Sequence, residues 1–111
     1  MAVRKILVTG ATGFVGAALV GHLVGAGRFI VRAAVRRNGN NFPPGVEQVS
    51  VGDLAEDVTW RQALAGVNVV VHLAARVHVM HEAAVDSLAE FRRVNVDGTL
   101  NVAWQAAERG V

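Results

Sequence analysis

With 111 residues the chain has room for one domain, and at 52% hydrophobic it can bury both faces of a sheet. Eleven basic residues stand against nine acidic ones, and no basic run is interleaved with aromatics, so nothing marks a nucleic-acid module. The absence of cysteine excludes a disulfide framework and thiolate metal sites; with no signal-peptide layout and no apolar run near the ~20 residues of a bilayer span, a cytoplasmic protein free of the membrane is expected.

The chain opens on Lys5-Ile6-Leu7-Val8, an aliphatic run too short for a helix, and breaks at Gly10 before a helical apolar pattern begins. That reads as strand, tight turn, helix. The spacing predicts separate tasks for three glycines. Gly10 permits the turn, Gly13 lets a ligand pyrophosphate approach the main chain without meeting a Cβ, and Gly16 lets the helix pack closely on the strand. The helix start, with its unpaired N–H groups and a dipole equivalent to roughly half a positive charge, makes a ready anion site. Val15, Ala18, Leu19, Leu23 and Ala26 mark the expected buried face, Gly27 the C-terminal cap, and Gly21 and Gly25 imply close packing.

Phe29 to Val35 is the second expected strand, ending in Arg36-Arg37, and a breaker-rich loop follows through Gly45. Val46 to Val51 reads as a third strand, stopped by Gly52-Asp53-Leu54. Thr59 or Asp57 can cap a short helix through Ala65, with Gly66 ending it. Val67 to Leu73 has the composition of a fully buried fourth strand. Ser87-Leu88-Ala89-Glu90 is a capping box that opens one long helix, Leu88 to Arg109, with Leu88, Phe91, Val94, Val102 and Ala106 at helical spacing. Strands separated by helices or crossovers predict an α/β fold with a parallel, doubly wound sheet of order 3-2-1-4.

In such a sheet a carboxylate at the end of the second strand usually binds the adenosine ribose. From Ala17 to Val46 there is no Asp or Glu, and Arg36 and Arg37 stand in that place. A guanidinium grips a 2′-phosphate that a carboxylate would repel, so the pattern favours NADP over NAD. The alternative is that two arginines at a strand end are solvated surface. His78-x-x-His81-Glu82 lacks a third obvious ligand and a helical face to preorganise it, so no metal site is expected.

Thr9-Gly10-Ala11-Thr12-Gly13-Phe14-Val15-Gly16 resembles the Thr-Gly-x-x-Gly-x-x-Gly turn of the extended short-chain dehydrogenase/reductases, which include the NAD-dependent epimerases/dehydratases. Asp53-Leu54 is similar to the family's pair whose aspartate meets the adenine amino group. His72-Leu73-Ala74-Ala75-Arg76 resembles its small-residue step beside the cofactor, and Asn95-x-x-Gly98-Thr99-x-Asn101 its Asn-x-x-Gly-Thr-x-Asn helix. The resemblance covers nearly the whole chain and implies a Rossmann dinucleotide-binding domain over residues 1–111. It places NAD(P) against Gly10, Thr12, Gly13, Phe14, Val15, Gly16, Arg36, Arg37, Asp53, Leu54, Leu73, Ala74, Ala75, Arg76 and Asn95. In wording, Leu73 to Met80 looks most like bacterial enzymes acting on UDP-N-acetyl amino sugars, 4-epimerases and 4-keto reductases of surface-polysaccharide synthesis, with His78, Met80 and His81 able to touch substrate. It implies hydride transfer between a sugar carbon and nicotinamide, by an oxidoreductase or isomerase working as a homo-oligomer.

One departure stands out. The family's chemistry uses a Tyr-x-x-x-Lys pair, whereas this sequence has no tyrosine and one lysine, Lys5. No catalytic residue is therefore assigned. The chain is expected to be the N-terminal part of such an enzyme, truncated before a fifth strand and inactive alone. An NADP-sensing regulatory domain without catalysis, which Arg36 and Arg37 suit, and a short interaction domain are the alternatives.

Overall fold

The computed structural model describes residues 3–52, 58–75 and 87–111. Four strands, β1 (Arg4–Thr9), β2 (Phe29–Val35), β3 (Glu47–Ser50) and β4 (Val69–His72), form one sheet of order β3-β2-β1-β4 with every pairing parallel. This is the expected doubly wound α/β topology. Crossing segments join the strands: α1 (Phe14–Ala26) between β1 and β2, and α2 (Arg61–Leu64) between β3 and β4. After β4 come α3 (Ser87–Arg92), a π-helical turn (Arg93–Asp97) and α4 (Gly98–Glu108).

Alternation along β1 sends its side chains to two cores. Ile6 and Val8 join Val31, Ala33, Val35 and Val20 of α1 on one face. Leu7 joins Ala34, Trp60, Ala63, Leu64, Val67 and Val102 on the other. The parallel register sets Thr9, the last residue of β1, opposite both Ala34 of β2 and His72 of β4.

Several sequence expectations need correction. On α1 the packed residues are Gly16 and Val20, with Leu19, Leu23 and Val24 beside them, while Val15, Ala18 and Ala26 are exposed. The helix is apolar almost all round, so its periodicity cannot select a face. Gly21 and Gly25 lie on open surface, where an added Cβ would meet nothing. Gly16 presses on the turn rather than on the strand: a Cβ there would overlap the Gly10 carbonyl.

The short helix α2 begins after Trp60 and has no side-chain cap, so Thr59 does not play that role; Asp57 lies outside the described residues. The chain's entry is held from α4 instead. Gln105 Oε1 accepts the Trp60 N–H at 2.8 Å, and Gln105 and Asn101 both donate to the Val58 carbonyl. β4 is shorter than expected and forms an edge, with all four residues only half-buried rather than fully buried.

The expected long C-terminal helix runs without a break through α3, the π-helical turn and α4, but its winding changes midway. An α-helix turns about 100° per residue, which would set Val102 roughly 80° round from Val94. The wider π turn takes up that excess by closing over one more residue, and Val94, Gly98 and Val102 are all buried. Gly110, at φ 72°, ends the segment as expected. No helix among the described residues is long and apolar enough to cross a membrane.

Candidate functional site

The site is built at the carboxyl ends of the strands, starting from the turn after β1. Gly10 sits at φ 64°, and a Cβ on it would lie 2.7 Å from both the Ala74 nitrogen and the Leu73 carbonyl carbon. The turn after β1 therefore rests directly on the backbone that follows β4. Gly13 donates to the Gly10 carbonyl at 3.1 Å and precedes α1 with no side-chain cap and no acidic residue in the first turn. A Cβ on Gly13 would meet only the Gly10 oxygen, at 3.4 Å. Phe14 and Val15 are exposed, and Gly16 is buried.

Thr9, 1% exposed, joins the two strand ends. Its Oγ1 accepts the Leu73 N–H at 2.9 Å and the Ala74 N–H at 3.1 Å, and lies 2.7 Å from His72 Nδ1. A hydroxyl has two acceptor lone pairs and one proton. With both lone pairs engaged, the Thr9 proton goes to His72 Nδ1. His72 then carries its own proton on Nε2 and donates it to Thr99 Oγ1 of α4 at 3.2 Å. Burial holds the His72 pKa below the ordinary imidazole value, which favours this neutral form.

On the other side of the turn, Thr12, Arg36, Arg37, Asn40 and Gly52 line an open cleft of about 460 Å³. The loop bearing the arginines is tied back through its carbonyls: Ser50 Oγ donates to Arg36 O at 2.8 Å and Asn40 Nδ2 to Arg37 O at 2.7 Å. Both arginines are exposed residues beside this cleft.

Of the residues expected at the site, Gly10, Leu73 and Ala74 are brought together, as are Thr12, Arg36 and Arg37. Ala75 is exposed just beyond, and Asn95 lies half-buried in the π-helical turn. Asp53, Leu54, Arg76, His78, Met80 and His81 lie outside the described residues. Thr9 as an organiser and the Thr9–His72–Thr99 chain were missed. The signal was present as a Thr ending one apolar strand and a His ending another, because parallel strands with matched ends place such residues side by side.

The profile of the NAD dependent epimerase/dehydratase family matches residues 6–111. A UDP-glucose 4-epimerase of Vibrio cholerae is 42% identical over 108 residues, a match covering 97% of this chain and 32% of that protein. A short-chain dehydrogenase/reductase superfamily protein of Agrobacterium tumefaciens, solved with bound NAD, superposes with a TM-score of 0.69 at 38% identity, over 97% of this chain and 30% of that one. Gre2 of Candida albicans, solved with NADPH, superposes with a TM-score of 0.76 at 26% identity, over 97% and 34%. The chain thus spans about a third of the length of the relatives it matches.

Proposed function

This chain belongs to the NAD dependent epimerase/dehydratase family, and on that premise we propose that it is the dinucleotide-binding part of a nucleotide-sugar epimerase, dehydratase or reductase. The observation that carries the reading is Gly13. Gly10 and Gly16 are required by the chain's own backbone contacts, but nothing in the described structure needs a glycine at 13. An exposed glycine at a helix start, with no acidic residue in the first turn, leaves the space a pyrophosphate requires.

In this reading the pyrophosphate lies against Gly13 and the start of α1. The adenosine end occupies the cleft of Thr12, Arg36 and Arg37, and the nicotinamide end faces Leu73, Ala74 and Ala75. Asp53, Leu54, Arg76 and Asn95 complete the set by family resemblance. When bound, nicotinamide supplies the hydride chemistry. This chain's residues bind and orient it; with no tyrosine and Lys5 paired to Glu47 at 3.3 Å, none of them is assigned as the acid/base. The Vibrio cholerae relative, a UDP-glucose 4-epimerase, supports a UDP-sugar substrate. The wording after β4 narrows that to UDP-N-acetyl amino sugars, in a cytoplasmic homo-oligomer.

Arg36 and Arg37 favour NADP over NAD. Calorimetric titration of both dinucleotides should show tighter NADP binding, and Arg36→Asp should narrow or invert the difference. Equal affinities or a preference for NAD would overturn the NADP assignment. Failure to bind either would overturn the dinucleotide reading.

A further inference from the structure

We propose that His72 is a positioning residue for the cofactor-facing step at Leu73-Ala74, and that protonating its imidazole releases that step and weakens dinucleotide binding. The functional half of this inference rests on the dinucleotide reading above; the hydrogen-bond half stands on the geometry alone.

The Leu73 and Ala74 amides hang on one oxygen, Thr9 Oγ1, at 2.9 and 3.1 Å. That oxygen can accept both only if its own proton is donated elsewhere, and the acceptor is His72 Nδ1 at 2.7 Å. An imidazolium has two donors and no acceptor. Once His72 is protonated, Nδ1–H points at an oxygen already taken by two N–H groups, and the Thr9 proton is left without a partner in a site 1% exposed. The strand end cannot keep all four groups satisfied, and the bonds that can yield are those to Leu73 and Ala74. These two residues also form the floor under Gly10, so the disturbance reaches the turn that precedes the phosphate site.

Among the described residues, the groups hydrogen-bonded to the imidazole are uncharged: Thr9 from β1 and Thr99 from α4. The charged residues on the neighbouring described elements are Arg4 and Lys5 at the far end of β1, Glu90, Arg92, Arg93 and Asp97 on α3 and the π-helical turn, and Glu108 at the far end of α4. None of them contributes to the His72 shift, whose one cause is burial.

Two measurements test the proposal on the purified protein. Imidazole nitrogen NMR should show His72 in the Nε2–H form near neutral pH; the Nδ1–H form would overturn it. Affinity for NAD, which lacks the titrating 2′-phosphate of NADP, should be read against pH for wild type, His72→Asn and His72→Leu. Wild-type affinity should fall with acid, by at most about tenfold per pH unit below the imidazole's folded pKa, and level off once the complex is protonated too. Asn places an oxygen acceptor where Nδ1 stands, so His72→Asn should keep near-neutral affinity within about threefold and show a flat profile. His72→Leu should bind about tenfold more weakly at every pH, the loss expected for one buried hydrogen bond. A flat wild-type profile, or the same slope in His72→Asn, overturns the proposal; if His72→Leu does not fold, the Asn comparison decides. No NAD binding by wild type at any pH overturns the dinucleotide reading, and the functional half with it, while the NMR result still judges the hydrogen-bond half.

Discussion

Toward the amino end of the sheet, Lys5 near the start of β1 and Arg32 midway along β2 converge on one carboxylate, Glu47 at the start of β3, at 3.3 and 2.9 Å, and Arg32 also donates to the Ala63 and Ala65 carbonyls at 2.6 and 2.8 Å. At the carboxyl end, Thr9, His72 and Thr99 form an uncharged chain, and Gly10 and Gly16 let backbone rest on backbone. One end is tied by ion pairs between two largely buried cations and a part-exposed carboxylate, the other by neutral groups with little room. The difference follows from what each end meets. A fixed charge buried beneath an anionic ligand would need its own partner or lose its ionisation, whereas away from the ligand Arg32 and Lys5, both largely buried, have that partner in Glu47. The carboxyl end is therefore shape-critical and the amino end charge-tolerant.

The largest effect expected from this contrast is at Gly10. Alanine there must hold a left-handed conformation, which costs roughly 1–2 kcal/mol, and its Cβ must displace the backbone of Leu73 and Ala74. A total loss of about 2–4 kcal/mol is expected, read as a fall in the urea midpoint at constant slope. A variant as stable as wild type would show that the floor under the turn yields easily, and the two ends would no longer differ in kind.

Gly13→Val separates ligand shape from chain shape within the same turn. Its backbone, at φ −75°, suits valine, and the Cβ would meet only the Gly10 oxygen, at 3.4 Å. Stability should change by no more than about 1 kcal/mol, since valine is a weaker N-cap than glycine. Dinucleotide binding should disappear from calorimetry while circular dichroism is kept. A folded Gly13→Val that still binds would remove the ligand from this turn.

Parts of this contrast were legible in the sequence. The β2 boundaries, Phe29 and Val35, are those expected, because a β-branched run bounded by breakers has few other options. The glycine spacing announced the turn. The packed face of α1 was not legible, because an all-apolar helix takes its orientation from the sheet. Nor was the His72 chain, whose partners Thr9 and Thr99 lie 63 and 27 residues away and meet it only through strand register and the path of α4. The π-helical turn was missed for a related reason: it serves the alignment of Val94 with Val102, which no local propensity records.

The smallest effect lies at Glu47, where it sharpens the comparison most cleanly. Burial alone would raise its pKa, but hydrogen bonds from Arg32 and Lys5, with their positive charges, outweigh that and hold it below the ordinary 4.5. A carboxylate whose folded pKa is depressed contributes stability above its unfolded value and loses it as pH falls through the folded one. The Glu47 contribution is thus complete at neutral pH and fades only below 4.5. His72, also depressed, contributes above the ordinary imidazole value of 6.5 and begins to lose its contribution at a higher pH than Glu47 does. The Glu47 side chain is 42% exposed, against 12% for Arg32 and 19% for Lys5, so water screens the pairs at the carboxylate, and Glu47→Gln should cost only about 0.5 kcal/mol at low salt. That cost should vanish near 1 M salt, where the Debye length shrinks to about 3 Å. The neutral chain at the other end has no such screening to lose. Urea unfolding of wild type and Glu47→Gln at low and high salt reads the difference directly. A Glu47→Gln deficit that survives high salt would mean that the amino end, too, is held by desolvated geometry rather than by charge.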